Sequence, residues 1–184
     1  MSPIGLGLLA LAVLAVAIAI LYNRLVRTRL HVREAWSAID VQLQRRASLI
    51  PNLVETVKGY AAYERGTLKD VVEARTAVGA AAGPRAAAEA NASLTTALRS
   101  FFAVAEAYPD LKANTRFAQL QKDLTDTENT IAYARNYYNG AVEIYNIAVQ
   151  SFPGVLVAGL FGFSRAEFFI AEDTARPVVP ATIG

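Results

Sequence analysis

Four polar residues lie along one helical stripe in the C-terminal half of this 184-residue chain: Glu128, Arg135, Asn139 and Asn146, spaced by seven, four and seven positions. Asp40, Arg45, Arg46, Asn52, Glu55 and Lys58 supply charges and hydrogen-bonding groups earlier in the chain. Side chains of these types on facing helices have two uses. They can line a polar groove for a small ligand or a hydrolysis, because bundles build their sites between helices. They can also pair with one another and fix which helices meet, and in what register. The second reading is preferred here, since buried polar groups act mostly through pairing.

Other chemistry finds little support. The chain has no cysteine, which removes disulfides, thiolate metal sites and a cysteine nucleophile. The absence leaves the redox compartment open. A single histidine, His31, cannot supply the paired Glu-x-x-His motifs of dinuclear helical sites, and it reads as a solvated residue. No serine stands beside a usable base. Gly79 and Gly83 do not follow a strand, so no phosphate-cradling loop is expected. The expectation is a non-enzyme without cofactor or metal. A net charge of +2 is too small to imply nucleic acid.

The elements that carry these residues begin with Pro3 to Tyr22, twenty positions without a charged side chain. As a helix this stretch is about 30 Å long, the thickness of a hydrocarbon core. A cleaved signal peptide is the rival, with Ala15-Val16-Ala17 or Ala17-Ile18-Ala19 as a cleavage candidate. The run is longer than a typical signal core and no Lys or Arg precedes it, so an uncleaved anchor is expected. Arg24, Arg27, Arg29 and Arg33 follow with no acid before Glu34, which also explains a sequence pI near 9.0. That bias predicts an outside N-terminus and a cytoplasmic remainder. Near the surface each arginine attracts anionic lipid by about 1 kcal/mol.

Helical periodicity continues out of the anchor through Leu25, Val32, Trp36, Ile39, Leu43 and Ile50. Pro51 is expected to kink or briefly break the helix at residues 49–52, with a second helix from Asn52 to about Ala77. Gly59 inside it suggests a close helix approach. A third helix is predicted from Pro84 to Tyr108. A fourth runs to about Ser151, and it carries large residues every seven positions: Phe117, Leu124, Ile131, Tyr138, Tyr145 and Phe152. The smaller row Leu120, Thr127, Ala134, Ala141 and Ala148 lies on the same stripe. The fold class is therefore all-α, an N-terminal transmembrane helix continuing into an antiparallel bundle of three to four long helices. Residues 1–23 form the anchor, 24–152 the cytoplasmic bundle, 153–171 an apolar segment with a short helix, and 172–184 a disordered tail. In the apolar segment Val155, Leu156, Val157, Leu160, Phe161 and Phe163 are candidates for self-association or lipid contact, or for packing back on the bundle end. Ser164 with Glu167 reads as a capping box opening a short helix through Phe168 and Phe169.

Several stretches read together as a family signature: Glu34-Ala35-Trp36, Ile39-Asp40-Val41-Gln42-Leu43, Leu49 through Tyr60, Glu106 through Ala113, Thr127-Glu128-Asn129, Tyr138-Asn139, Tyr145-Asn146 and Ser151-Phe152-Pro153. In these the chain resembles the LemA family from Tyr22 to Phe169. The resemblance implies a single anchor with an outside N-terminus and a cytoplasmic antiparallel bundle. It carries no established enzymatic activity. Relatives associated with magnetosome membranes, or found beside membrane-bound peptidases, imply a scaffold or adaptor. Expected partners are thus membrane lipid, further copies of the chain, and another membrane protein such as a peptidase. Tyr63 and Ala47-Ser48 depart from the usual family pattern.

Overall fold

The structure, a computed structural model, describes residues 2–58 and 65–171. Gly59 and the tail from Glu172 lie outside the described residues. Among those described every regular element is a helix: α1 (Pro3–Lys58), α2 (Arg65–Ala80), α3 (Pro84–Ala105), α4 (Pro109–Lys112), α5 (Thr115–Gln150) and α6 (Gly154–Phe161). The fold is all-α, as the periodicity predicts.

The first turns of α1 stand clear of the rest, contact with the other helices begins around Ala15 to Tyr22, and no described residue before Leu25 is buried. An 18-residue window of this helix is long and apolar enough to cross a membrane, and no part of that window is covered by protein. From Leu25 onward the same helix becomes one wall of the bundle.

The core has two tiers. The tier near the anchor joins Leu25, Val32, Ala35, Ile39 and Leu43 of α1 to Ala87 and Ala88 of α3 and to Ile131, Tyr138, Val142 and Tyr145 of α5. The distal tier joins Ile50, Leu53 and Val57 of α1, Val71 and Ala74 of α2, Leu94, Leu98 and Phe101 of α3, and Phe117, Leu120 and Leu124 of α5. Since α1 and α3 run from the first tier to the second while α5 returns, α5 lies antiparallel to α1. Five of the six heptad residues are fully inside. Phe152 is the exception at 81% exposed, because α5 stops at Gln150 and its register ends there.

Local chemistry explains the ends. Pro84 opens α3 after Gly83, whose φ of 91° only glycine adopts easily. Asn114 caps α5, its Oδ1 accepting from the backbone N–H groups of Arg116 at 2.9 Å and Phe117 at 3.1 Å. Gly162, at φ 70°, ends α6 and lets the N–H of Phe163 reach the Ala158 carbonyl at 2.9 Å.

Two expectations fail. No break occurs at residues 49–52: α1 runs unbroken through Pro51 to Lys58, and the second helix begins only at Arg65 in the described chain. A proline at position 51 deprives the Ala47 carbonyl of its helical donor. Arg75 of α2 directs its Nε to that oxygen at 3.4 Å, and the buried side chains of Ile50 and Leu53 hold the helix on either side. The capping-box helix from Ser164 to Phe169 is also absent. The preceding apolar run forms α6 instead, and residues 163–171 are a non-helical strap.

Candidate functional site

Between the two tiers lies one polar layer. On α1 it falls between Leu43 and Ile50, on α3 it spans Asn91 to Thr95 on either side of Leu94, and on α5 it falls between Leu124 and Ile131. Arg46, 3% exposed, pairs with the Glu128 carboxylate and donates from its Nη1 to Asn91 Oδ1 at 2.6 Å and Thr95 Oγ1 at 3.0 Å. The Thr95 hydroxyl in turn faces Glu128 Oε2 at 3.0 Å. Burial pulls the Arg46 pKa down, and the charge and hydrogen bond of Glu128 oppose it. Glu128 keeps 37% of its side chain in solvent, so the charge is buried mainly on the arginine side.

The second constellation is a clamp. Asn146 accepts from the N–H of Ala166 at 2.8 Å and donates to its carbonyl at 3.0 Å. Asn139 treats Phe169 the same way, at 2.9 and 3.3 Å. The tyrosine preceding each asparagine adds a donor: Tyr145 to the Ser164 carbonyl and Tyr138 to the Glu167 carbonyl, both at 2.8 Å. The repeat has a geometric origin. Seven residues of helix rise about 10.5 Å, and three residues of extended chain span about 10 Å. Each heptad of α5 therefore meets every third strap residue. Backbone groups that a helix would have satisfied internally are satisfied by side chains, which is why the Ser164 capping box does not nucleate one. Phe169, 3% exposed, anchors the strap against Trp36, ring centroids 6.1 Å apart. Burial raises both phenols, Tyr138 to about 12 with a contribution from Glu167, and Tyr145 against the opposing pull of Arg29 and Arg33.

The ten polar residues picked out by stripe and charge do not form one network. Arg46 and Glu128 meet; Asn139 and Asn146 hold the strap. Glu55 pairs instead with Arg116, at 3.7 Å on the surface. Asp40 accepts from Gln44 within its own helix at 2.8 Å. Arg45, Asn52 and Lys58 sit on the solvent face of α1, turned away from the layer. Arg135 is exposed and lines a trench of about 1210 Å³ with Asp70, Glu73, Glu89, Asn139 and Phe169. Arg24, Arg27, Arg29 and Arg33 are all exposed at the base of the anchor. The sequence alone does not single out Asn91 and Thr95, which complete the layer. Their one signal is a polar pair four residues apart inside an alanine-rich helix. Among the described residues no cluster of three or more His, Asp or Glu side chains could hold a metal ion.

An all-α bundle carried on one helix able to cross a membrane has the build of a membrane-attached helical protein. The chain belongs to the LemA family, which it matches over residues 35–181. It is 27% identical over 174 residues to magnetosome protein MamQ 2 of Paramagnetospirillum magneticum, covering 80% of this chain and 64% of that one. Against magnetosome protein MamQ of Magnetospirillum gryphiswaldense it is 25% identical over 192 residues, 90% of this chain and 71% of the relative. Protein LemA of Metamycoplasma hominis is 24% identical over 158 residues, 84% and 71%. The chain thus spans 64% of the length of the first of these relatives. Family membership and these relatives support a membrane-associated role.

Proposed function

We propose that the chain is a non-enzymatic scaffold, anchored through residues 3–22 with its bundle in the cytoplasm, that self-associates along α5 to organise membrane or present partners. One observation carries this. Opposite its buried seam, α5 bears a second stripe at spacings of four, three, four and three: Tyr133, Tyr137, Gly140, Ile144 and Ile147. The four large members are 80%, 51%, 58% and 56% exposed. A heptad face of this kind is what a coiled-coil partner covers. Gly140 fits the reading, since a Cβ there meets nothing within 4 Å and no contact inside the chain requires a glycine. Copies tethered in one membrane present α5 in the same direction and at high effective concentration. Identical positions then face each other across a two-fold axis.

The absence of cysteine makes the test direct. Ile144→Cys in native membranes should form a disulfide-linked dimer under mild oxidation, while Glu143→Cys, one position round the helix, should not. Equal cross-linking at the two positions, or none at either, overturns the reading. A second reading, an adaptor for another membrane protein such as a peptidase, draws its support from the trench beside Arg135, which opens where the strap reaches Ala171. A ligand site built on Tyr138 and Tyr145 is disfavoured, because both hydroxyls are engaged by the strap.

A further inference from the structure

We infer that α6 is a membrane-inserted helix, its outer face seated in the hydrocarbon of the leaflet from which the bundle projects. Every residue from Val155 to Phe161 is apolar or glycine. The protein covers one side only. Gly154, Val157 and Ala158 are buried against α1 and α5, while Leu156 is 65%, Leu160 75%, Phe161 49% and Val155 43% exposed. A helix apolar all round belongs in a core or in a membrane, and among the described residues nothing covers the second face.

Position and direction agree with lipid as the occupant. The chain turns by 92° between α5 and α6. Since α5 packs along α1, α6 lies across the anchor axis, in the plane of the bilayer. Its depth is marked by Phe161, which meets the Tyr22 ring at 4.9 Å and shares a hollow with Ala15, Ile18 and Ala19, inside the apolar run. Seven residues of helix from Ala15 to Tyr22 correspond to about 10 Å, the depth to which interfacial helices bury their apolar face. Cations border the segment on the bundle side, as headgroup contacts require. Arg29 stands over the Phe163 ring, 5.8 Å from its centroid, and Arg165 follows in the strap.

The inference rests on the anchor reading and not on self-association. Four single-cysteine variants of the full chain separate the outcomes: Leu156→Cys and Leu160→Cys on α6, Leu11→Cys in the anchor and Thr125→Cys on the distal bundle. Each carries a nitroxide and is reconstituted in phosphatidylcholine–phosphatidylglycerol vesicles, and its collisions with oxygen and with a water-soluble nickel chelate are compared. Positions 156 and 160 should follow position 11, with oxygen favoured, and should oppose position 125. Nickel access at 156 and 160 with oxygen preference at 11 overturns the insertion and leaves the anchor standing. Low access to both reagents on α6 overturns it in favour of burial by a second copy. Nickel access at position 11 overturns anchor and insertion together.

Discussion

The Arg46–Glu128 pair illustrates how unequal the two members of one ion pair are. Arg46 is enclosed, whereas Glu128 can still turn toward water. Glu128→Ala leaves a buried guanidinium with Asn91 and Thr95 alone, and should cost about 1.5–3 kcal/mol. Arg46→Met leaves a carboxylate that water can solvate, and should cost about 1 kcal/mol. Thermal melts in mild detergent would register the difference; an equal or reversed order would mean that Glu128 is not the compensating charge. The clamp tyrosines make a pH prediction with a definite sign. Their pKa values are raised in the folded chain, Tyr138 to about 12. Their stabilisation is therefore complete below the ordinary phenol pKa of about 10. It is lost as pH rises toward 12, because the unfolded chain ionises first. A melt series should fall across that window, and Tyr138→Phe should flatten the fall. A fall that persists unchanged in Tyr138→Phe would point to other groups.

Helices were legible in the sequence where their periodicity was long, and misread where local chemistry was answered from a distance. Pro51 looked like a break because the residues nearby show no replacement donor; the donor is Arg75, on another helix. Ser164 and Glu167 looked like a cap because the sequence pattern cannot show that Asn139 and Asn146 occupy the backbone groups a helix would need. The repeated Tyr-Asn pair at heptad spacing was visible, yet its meaning required knowing that three extended residues match seven helical ones. Only part of the polar set faces the bundle, since charge alone does not say which side of α1 or of α5 turns inward. Asn146→Ala removes both partners of one strap residue and should cost about 2 kcal/mol locally. Loosening of the strap should be read as faster tryptic cleavage after the exposed Arg165, with the helical content unchanged. Unchanged cleavage would mean that Asn139, the two tyrosines and the buried Phe169 retain the strap without Asn146.

Taken as a whole, the molecule is a rod with an apolar foot. A helix with twenty uncharged residues, long and apolar enough to cross a membrane, leads into a two-tier bundle, and the outer stripe of α5 and the outer face of α6 both lie in the half nearest it. The distal residues Lys122 and Asp126 carry charge on the corresponding face and pair with each other at 2.8 Å. That gradient suits copies that meet close to the membrane and leave their distal ends free. Self-association is the claim on which the scaffold role depends, and the mass of the intact protein in mild detergent tests it most directly. The wild type should run as a multimer whose mass falls to that of one chain in Ile144→Glu, with the melting temperature of the bundle preserved. A wild type that is monomeric at every concentration, or an Ile144→Glu variant that retains the multimer, would contradict it.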